Sequence, residues 1–254
     1  MEISTIILLC LIAFLAGYVD AVVGGGGLIQ VPAGLILMPT QAVSSVIGTL
    51  KVPSFFGTCF ATYQYLQRVK IPLLRIILFT SIAFSAAFTG SLLLTRMSNQ
   101  FMKPVIFFVL LAMAIYTFTK KDFGQLTKKN KIQFPMIKGI LICLIIGFYD
   151  GFIGPGGGSL FVLAFIAILG YDFLNASAHA KIVNLSTNLG SLILFIGKGI
   201  ILWPVAIPMS ICNAAGGIFG SRMALKRGNQ FIRKIFLFVI VATLLRLGYD
   251  VFFH

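Results

Sequence analysis

Gly17-Tyr18-Val19-Asp20-Ala21-Val22-Val23-Gly24-Gly25-Gly26-Gly27 and Gly147-Phe148-Tyr149-Asp150-Gly151-Phe152-Ile153-Gly154-Pro155-Gly156-Gly157 stand 130 positions apart and share one pattern, G-x-x-D-x-x-x-G-x-G-G. The register extends outward from this core. Lys51 falls on Lys181, Gly90-Ser91 on Gly220-Ser221, Asn99-Gln100-Phe101 on Asn229-Gln230-Phe231, and Phe108-Val109 on Phe238-Val239. Shared greasiness would not align Asp, Lys, Asn and Gln as well, so the chain reads as a gapless tandem duplication.

What surrounds the two cores decides their solvent. Of 254 residues, 59% are apolar and 10% are Asp, Glu, Lys or Arg, against about 45–50% and about 25% in soluble domains. Too few charges remain to coat a globule in water, and the mean hydropathy of +1.03 places apolar excess almost everywhere. The solvent is lipid. Long apolar runs, rather than the roughly ten-residue alternating segments of an outer-membrane barrel, predict helices.

Each repeat divides into five apolar pieces, in the first at 3–23, 26–39, 42–67, 71–95 and 101–119. The expected fold is therefore an all-α polytopic membrane protein of two five-segment repeats, with eight to ten transmembrane helices. A full crossing takes about 20 residues, so the second piece of each repeat reads as a half-helix or short tilted span, broken from the first at the Gly cluster. The domains expected are a first repeat over 1–119, a basic cytoplasmic linker over 120–138 and a second repeat over 139–254. The start, Met1-Glu2-Ile3-Ser4, lacks a basic signal-type region, so the first run is expected to remain as a helix.

The net charge of +14 comes from 20 basic and 6 acidic residues. In a soluble protein it would suggest nucleic acid, but here the basic residues cluster in connections between apolar runs, and no nucleic-acid motif accompanies them. They report topology instead. An odd number of crossings per repeat would invert the second half, placing on one side Arg68, Lys70 and Arg75, the six linker lysines Lys120, Lys121, Lys128, Lys129, Lys131 and Lys138, and Lys226, Arg227, Arg233 and Lys234. The other side would hold Arg96, Lys103, Lys198 and Arg246. Inverted repeats obey the positive-inside rule better than parallel ones and put both termini outside the cytoplasm. Cys10, Cys59, Cys143 and Cys212 lack metal-type spacing and read as small interior residues, and no metal or cofactor is expected.

Gly24, Gly25, Gly26 and Gly27, with Gly154, Gly156, Gly157 and Gly158, interrupt apolar helices where lipid would leave backbone groups unpaired at several kcal/mol each. Close helix packing or a plain turn would explain them. So would a shielded cavity in which freed amides and a half-helix N-terminus hold an anion, and the matched pair of clusters favours that site. Lys51 and Lys181 lie eight or nine residues into their spans, where an isolated cation costs about 2.5–3.5 kcal/mol. Snorkelling to the head groups is one answer. A polar stripe argues for another: Ser177, Lys181, Asn184, Asn188 and Ser191 share one helix face, with Ser44, Gly48, Lys51, Ser54, Thr58 and Thr62 a weaker version. Such a stripe faces a cavity or a partner helix. Asp20 and Asp150 can pair with the two lysines, give one up to an anion, or couple transport through a proton; His179 is a further candidate for charge coupling.

The two copies of the glycine–aspartate core, Gly17 to Gly27 and Gly147 to Gly157, with Pro32 following the first, resemble the TauE/SafE sulfite exporter family of membrane transporters over essentially the full chain. The second repeat departs in carrying Pro155 in its cluster and Phe161-Val162 where the first has Val31-Pro32. The resemblance implies movement of a small sulfur-containing anion, such as sulfite or an organosulfonate like sulfoacetate, across a bacterial inner membrane. The expected mechanism is a secondary transporter working by alternating access, the anion lying between the Gly clusters and the Lys51 and Lys181 stripes. A passive anion channel is the nearer alternative. An intramembrane aspartyl protease using Asp20 and Asp150 as a dyad is the more distant one. The partners expected are the anion and lipid, not nucleic acid, with a homodimer admitted.

Overall fold

Lipid offers backbone amides no hydrogen-bond partner, so an apolar chain closes its own ladder as helix. A computed structural model describes residues 2–102, 104–106, 108 and 134–226, and all regular structure among them is helical. The helices are α1 (Ile3–Val23), α2 (Gly26–Leu37), α3 (Val43–Leu66), α4 (Leu73–Arg96), α5 (Pro135–Phe152), α6 (Gly157–Leu169) and α7 (Phe173–Gly197), followed by α8 over 203–226. A further helical stretch opens at 99. The pieces expected at 3–23, 26–39, 42–67 and 71–95 match α1 to α4 within two residues at each end. Most of 101–119, the linker as far as 133, and the basic residues after Lys226 lie outside the described residues.

Helices α1, α3, α4, α5 and α7 are long and apolar enough to span a membrane, with mean hydropathies from 1.2 to 2.6. At 1.5 Å per residue, the 12 residues of α2 and 13 of α6 reach only about 18–20 Å, short of a hydrocarbon core of about 30 Å. Each is a half-helix folded back from the helix before it. The α1–α2 break is made by Gly24, whose φ of 78° lets its amide bond back to the Asp20 carbonyl at 2.7 Å. Pro155, having no N–H, lengthens the second break, which takes two left-handed glycines, Gly154 at 93° and Gly156 at 77°.

The outer face is apolar because its solvent is. Ile3, Ile7, Leu11 and Leu15 form an exposed ridge of α1, while Leu9, Ala13, Ala16 and Gly17 turn inward. Cys143 is buried and Cys10 and Cys212 half-buried, but Cys59 is exposed, so one expected interior cysteine instead sits on the outer surface as a small apolar side chain. At the start of α7, Asp172 caps the helix by accepting from Asn175 N at 3.0 Å. Partial burial pushes its carboxyl up, yet bonds from the Asn175 amide and side chain outweigh this and hold it below the usual range.

Contacts recur at positions 130 apart. Gly17 lies against Asn213 and Gly147 against Ala83; Gly220 lies against Tyr18 and Gly90 against Phe148. Thus α1 packs on α8 and α5 on α4, each through small residues that let backbones touch. The two core clusters correspond in the same way: Val31, Val43 and Met209 lie in one, Phe161, Phe173 and Phe79 in the other. Helices α3 and α7 run antiparallel across the centre, with Gly48 at Phe195 and Lys51 at Asn188.

Candidate functional site

The two glycine bends meet between α3 and α7. A Cβ on Gly158 would stand 2.7 Å from the Gly24 carbonyl oxygen, and one on Gly27 would stand 3.1 Å from Pro155 Cα, so only glycine permits this approach. Ser159 closes the seam, its amide donating to Gly24 O and its hydroxyl to Val23 O, both at 2.9 Å. Tyr149 donates to Pro155 O at 2.6 Å and fixes the second bend.

Beside the bends lies a half-open cavity with about 450 Å³ of unfilled space, counting its mouth. Of the expected residues, Gly24, Gly27, Lys51, Ser54, Gly154, Gly156, Gly157, Gly158, Asn184 and Asn188 line it, as do Asp20 and Asp150. Gly25, Gly26 and Lys181 do not. Gly26 instead donates its amide to Asp20 Oδ1 at 3.3 Å.

Both lysines are buried, Lys51 at 6% and Lys181 at 2% exposure, so neither snorkels. Each forms an ion pair with the aspartate distant from it in sequence: Lys51 Nζ lies 2.9 Å from Asp150 Oδ2, and Lys181 Nζ 2.9 Å from Asp20 Oδ2. Pairing removes most of the cost of placing four charges in an apolar interior. Lys51 also donates to Asn188 Oδ1 at 3.1 Å, and Lys181 to the Asp20 carbonyl oxygen. Asp20 further accepts from Thr58 Oγ1 at 3.3 Å. The carboxylates are thus held by separate lysines, an arrangement unlike the proton-sharing pair of an aspartyl protease. The polar stripe of α7 faces inward: Ser177, Lys181, Asn184, Asn188 and Ser191 are all buried.

Donors without acceptors remain at the cavity. Among the described residues, the amides of Gly156 and Gly158 at the α6 N-terminus and the Asn188 side-chain NH2 have no protein acceptor, whereas the fully buried side-chain atoms without one, Thr62 Oγ1, Ser177 Oγ, His179 Nε2 and Ser191 Oγ, lie off the cavity wall. An ammonium has three N–H groups, and Lys51 uses two. Backbone dipoles, a cation and an amide therefore converge where a small anion would fit.

His179 stands apart from this site. Its Nδ1 bonds the Asn175 carbonyl at 2.8 Å, and its ring packs 4.7 Å from Tyr171 and 6.0 Å from Phe165. A residue outside the sequence reading also lines the cavity: Gln30, which accepts from Asn213 Nδ2 at 2.9 Å and donates to Leu50 O at 3.2 Å. A glutamine inside the apolar run 26–39 was the available signal, but its α6 counterpart is Leu160, so the duplication did not point to it.

The sequence pattern of the family described as "Sulfite exporter TauE/SafE" matches residues 9–247. A probable membrane transporter protein, ORF9, from Sinorhizobium sp. is 34% identical over 94% of this chain and 90% of its own length. A probable membrane transporter protein of Haemophilus influenzae is 32% identical over 96% and 94%. The Escherichia coli K12 protein named probable membrane transporter protein YfcA is 29% identical over 94% and 88%. No solved structure matches the chain at the significance these relatives reach.

Proposed function

We propose, from the premise that this chain belongs to the sulfite exporter TauE/SafE family of membrane proteins, that it is a secondary transporter of a small sulfur-containing anion, sulfite or an organosulfonate such as sulfoacetate. The observation that carries the reading is the set of donors without protein acceptors around Lys51: the Gly156 and Gly158 amides, the Asn188 NH2 and the third ammonium N–H all belong to residues that line one half-open cavity. A three- or four-oxygen anion supplies acceptors to all of them at once, through hydrogen bonds strengthened by its charge.

The mechanism is alternating access between inverted repeats in the bacterial inner membrane, with the basic linker on the cytoplasmic side. Three features support it. Counterparts α3 and α7 are antiparallel, as a two-fold axis lying across the helices requires. The glycine contacts pair α1 with α8 and α5 with α4 at corresponding positions. The half-helices end at a shared central site, the arrangement from which one repeat can rock against the other.

Purified protein in proteoliposomes is expected to take up labelled sulfite or sulfoacetate with saturable kinetics, and Lys51→Gln to lose at least tenfold of that flux while still assembling. Undiminished flux in Lys51→Gln overturns the site. Unitary currents in a planar bilayer would replace the carrier with a channel.

A further inference from the structure

The two ion pairs occupy matching positions in the duplication, yet their surroundings differ. The Asp20 carboxylate is held by three donors, the side chains of Lys181 at 2.9 Å and Thr58 at 3.3 Å and the backbone amide of Gly26 at 3.3 Å. Lys181 adds a bond to the Asp20 carbonyl and stays off the cavity wall. Among the described residues, the Asp150 carboxylate accepts from Lys51 alone. The reason lies in the residues 130 positions on. Where the first repeat has Thr58, whose hydroxyl donates to the aspartate, the second has Asn188, whose carbonyl oxygen turns to the lysine. Where Gly26 donates to Asp20, its counterpart Gly156 leaves its amide open.

We propose that Lys51–Asp150 is the pair that opens to admit the anion, Asp150 taking up a proton as it releases Lys51, while Lys181–Asp20 stays closed throughout the transport cycle. This rests on the transport reading above and deepens it. Asn188 Oδ1 keeps the Lys51 ammonium in place when Asp150 leaves, so the incoming oxyanion takes the vacated N–H together with the Asn188 NH2 and the Gly156 and Gly158 amides. Asp150, only 3% exposed, would then be a buried carboxylate without a partner. A proton arriving through the aqueous mouth of the cavity onto its carboxylate neutralises it.

The exchange adds one anion and one proton to the pair: a monoanion leaves its net charge at zero, and a dianion such as sulfate, thiosulfate or sulfoacetate leaves one negative charge, shared among the Lys51 ammonium, the Asn188 NH2 and the two glycine amides. The ionisable groups facing Asp150 are Lys51 from α3, with Asp20 of α1 across the same cavity and Lys181 of α7 behind it. Its own helix contributes Tyr149, whose hydroxyl is turned to Pro155. On α6 Gly157 lies against the Asp150 carboxylate, and on α4 Ala87 and Ser91 lie against the adjacent Gly151; none of the three is ionisable.

The test is binding of sulfate, thiosulfate and sulfoacetate, which keep one charge state near neutral pH, to purified protein in weak buffer with a pH-indicating dye. Wild type is expected to take up about one proton per anion bound and to lose affinity about tenfold per unit rise in pH. Asp150→Asn is expected to bind with no proton uptake and a flat pH profile. Binding without proton uptake in the wild type overturns the exchange whatever the variant does, as does uptake that survives in Asp150→Asn. If no anion binds the wild type at all, the transport reading itself falls, and this inference with it.

Discussion

Replacing Gly90 by Ala places a methyl 2.2 Å from the Phe148 carbonyl oxygen, and replacing Gly220 places one 2.3 Å from the Tyr18 carbonyl oxygen. Ordinary carbon–oxygen contacts begin about 1 Å farther out, and the obstacle is helical backbone in both cases, so α4 must part from α5, or α8 from α1, by that amount. Forcing one methylene into a filled core costs about 1–3 kcal/mol, and an obstruction by backbone belongs at the upper end. At about 2–4 °C per kcal/mol for a chain of this size, each variant is expected to melt some 4–10 °C below wild type. Gly197→Ala is the internal control, because nothing lies within 4 Å of its added methyl. Thermal unfolding in detergent, followed by exposure of Cys143 to a thiol-reactive dye in a background with Cys10, Cys59 and Cys212 replaced by Ala, reads all three. The glycine-mediated packing is refuted if Gly90→Ala melts with Gly197→Ala, and the correspondence of the two helix pairs fails if Gly90→Ala and Gly220→Ala differ by more than the effect itself.

Lys181→Met alone is expected to destabilise by about 1–3 kcal/mol by leaving the half-buried Asp20 carboxylate without its counter-charge, and adding Asp20→Asn to recover most of it, as a double-mutant cycle in denaturant would read. Gln30→Leu leaves the Asn213 amide without its acceptor and is expected to cost about 1–3 kcal/mol in the same assay, although leucine already occupies the corresponding position 160. Asp172→Ala removes the α7 cap at a cost of about 1 kcal/mol at neutral pH. Because the folded-state carboxyl of Asp172 is held below its ordinary value, its contribution is complete above that value and fades as pH falls through the folded one; the melting difference between Asp172→Ala and wild type is therefore expected to shrink in acid.

Much of the architecture was legible because lipid removes alternatives. Apolar length fixed α1, α3, α4, α5 and α7, and glycine clusters at 24–27 and 154–158 marked the breaks. The inward polar stripe of α7 followed from three- and four-residue spacing. Pairing was less accessible. Spacing on one helix could not choose between Lys51 with Asp20 and Lys51 with Asp150, since that depends on how helices far apart in sequence dock. His179 shares the α7 sequence neighbourhood of Lys181 but turns to the aromatic side, where Tyr171 and Phe165 receive it. Cys59 was misplaced because in a membrane protein an apolar side chain is equally at home inside and out.

The crossed salt bridges carry a consequence for how the molecule is made. Asp20 and Lys51 are translated early, and their partners, Lys181 and Asp150, come about a hundred residues or more later. A chain stopped after residue 119 would hold a carboxylate and an ammonium in the bilayer with neither native counter-charge available. The segment made first is thus an unfinished electrical circuit, open until the later helices are threaded beside it.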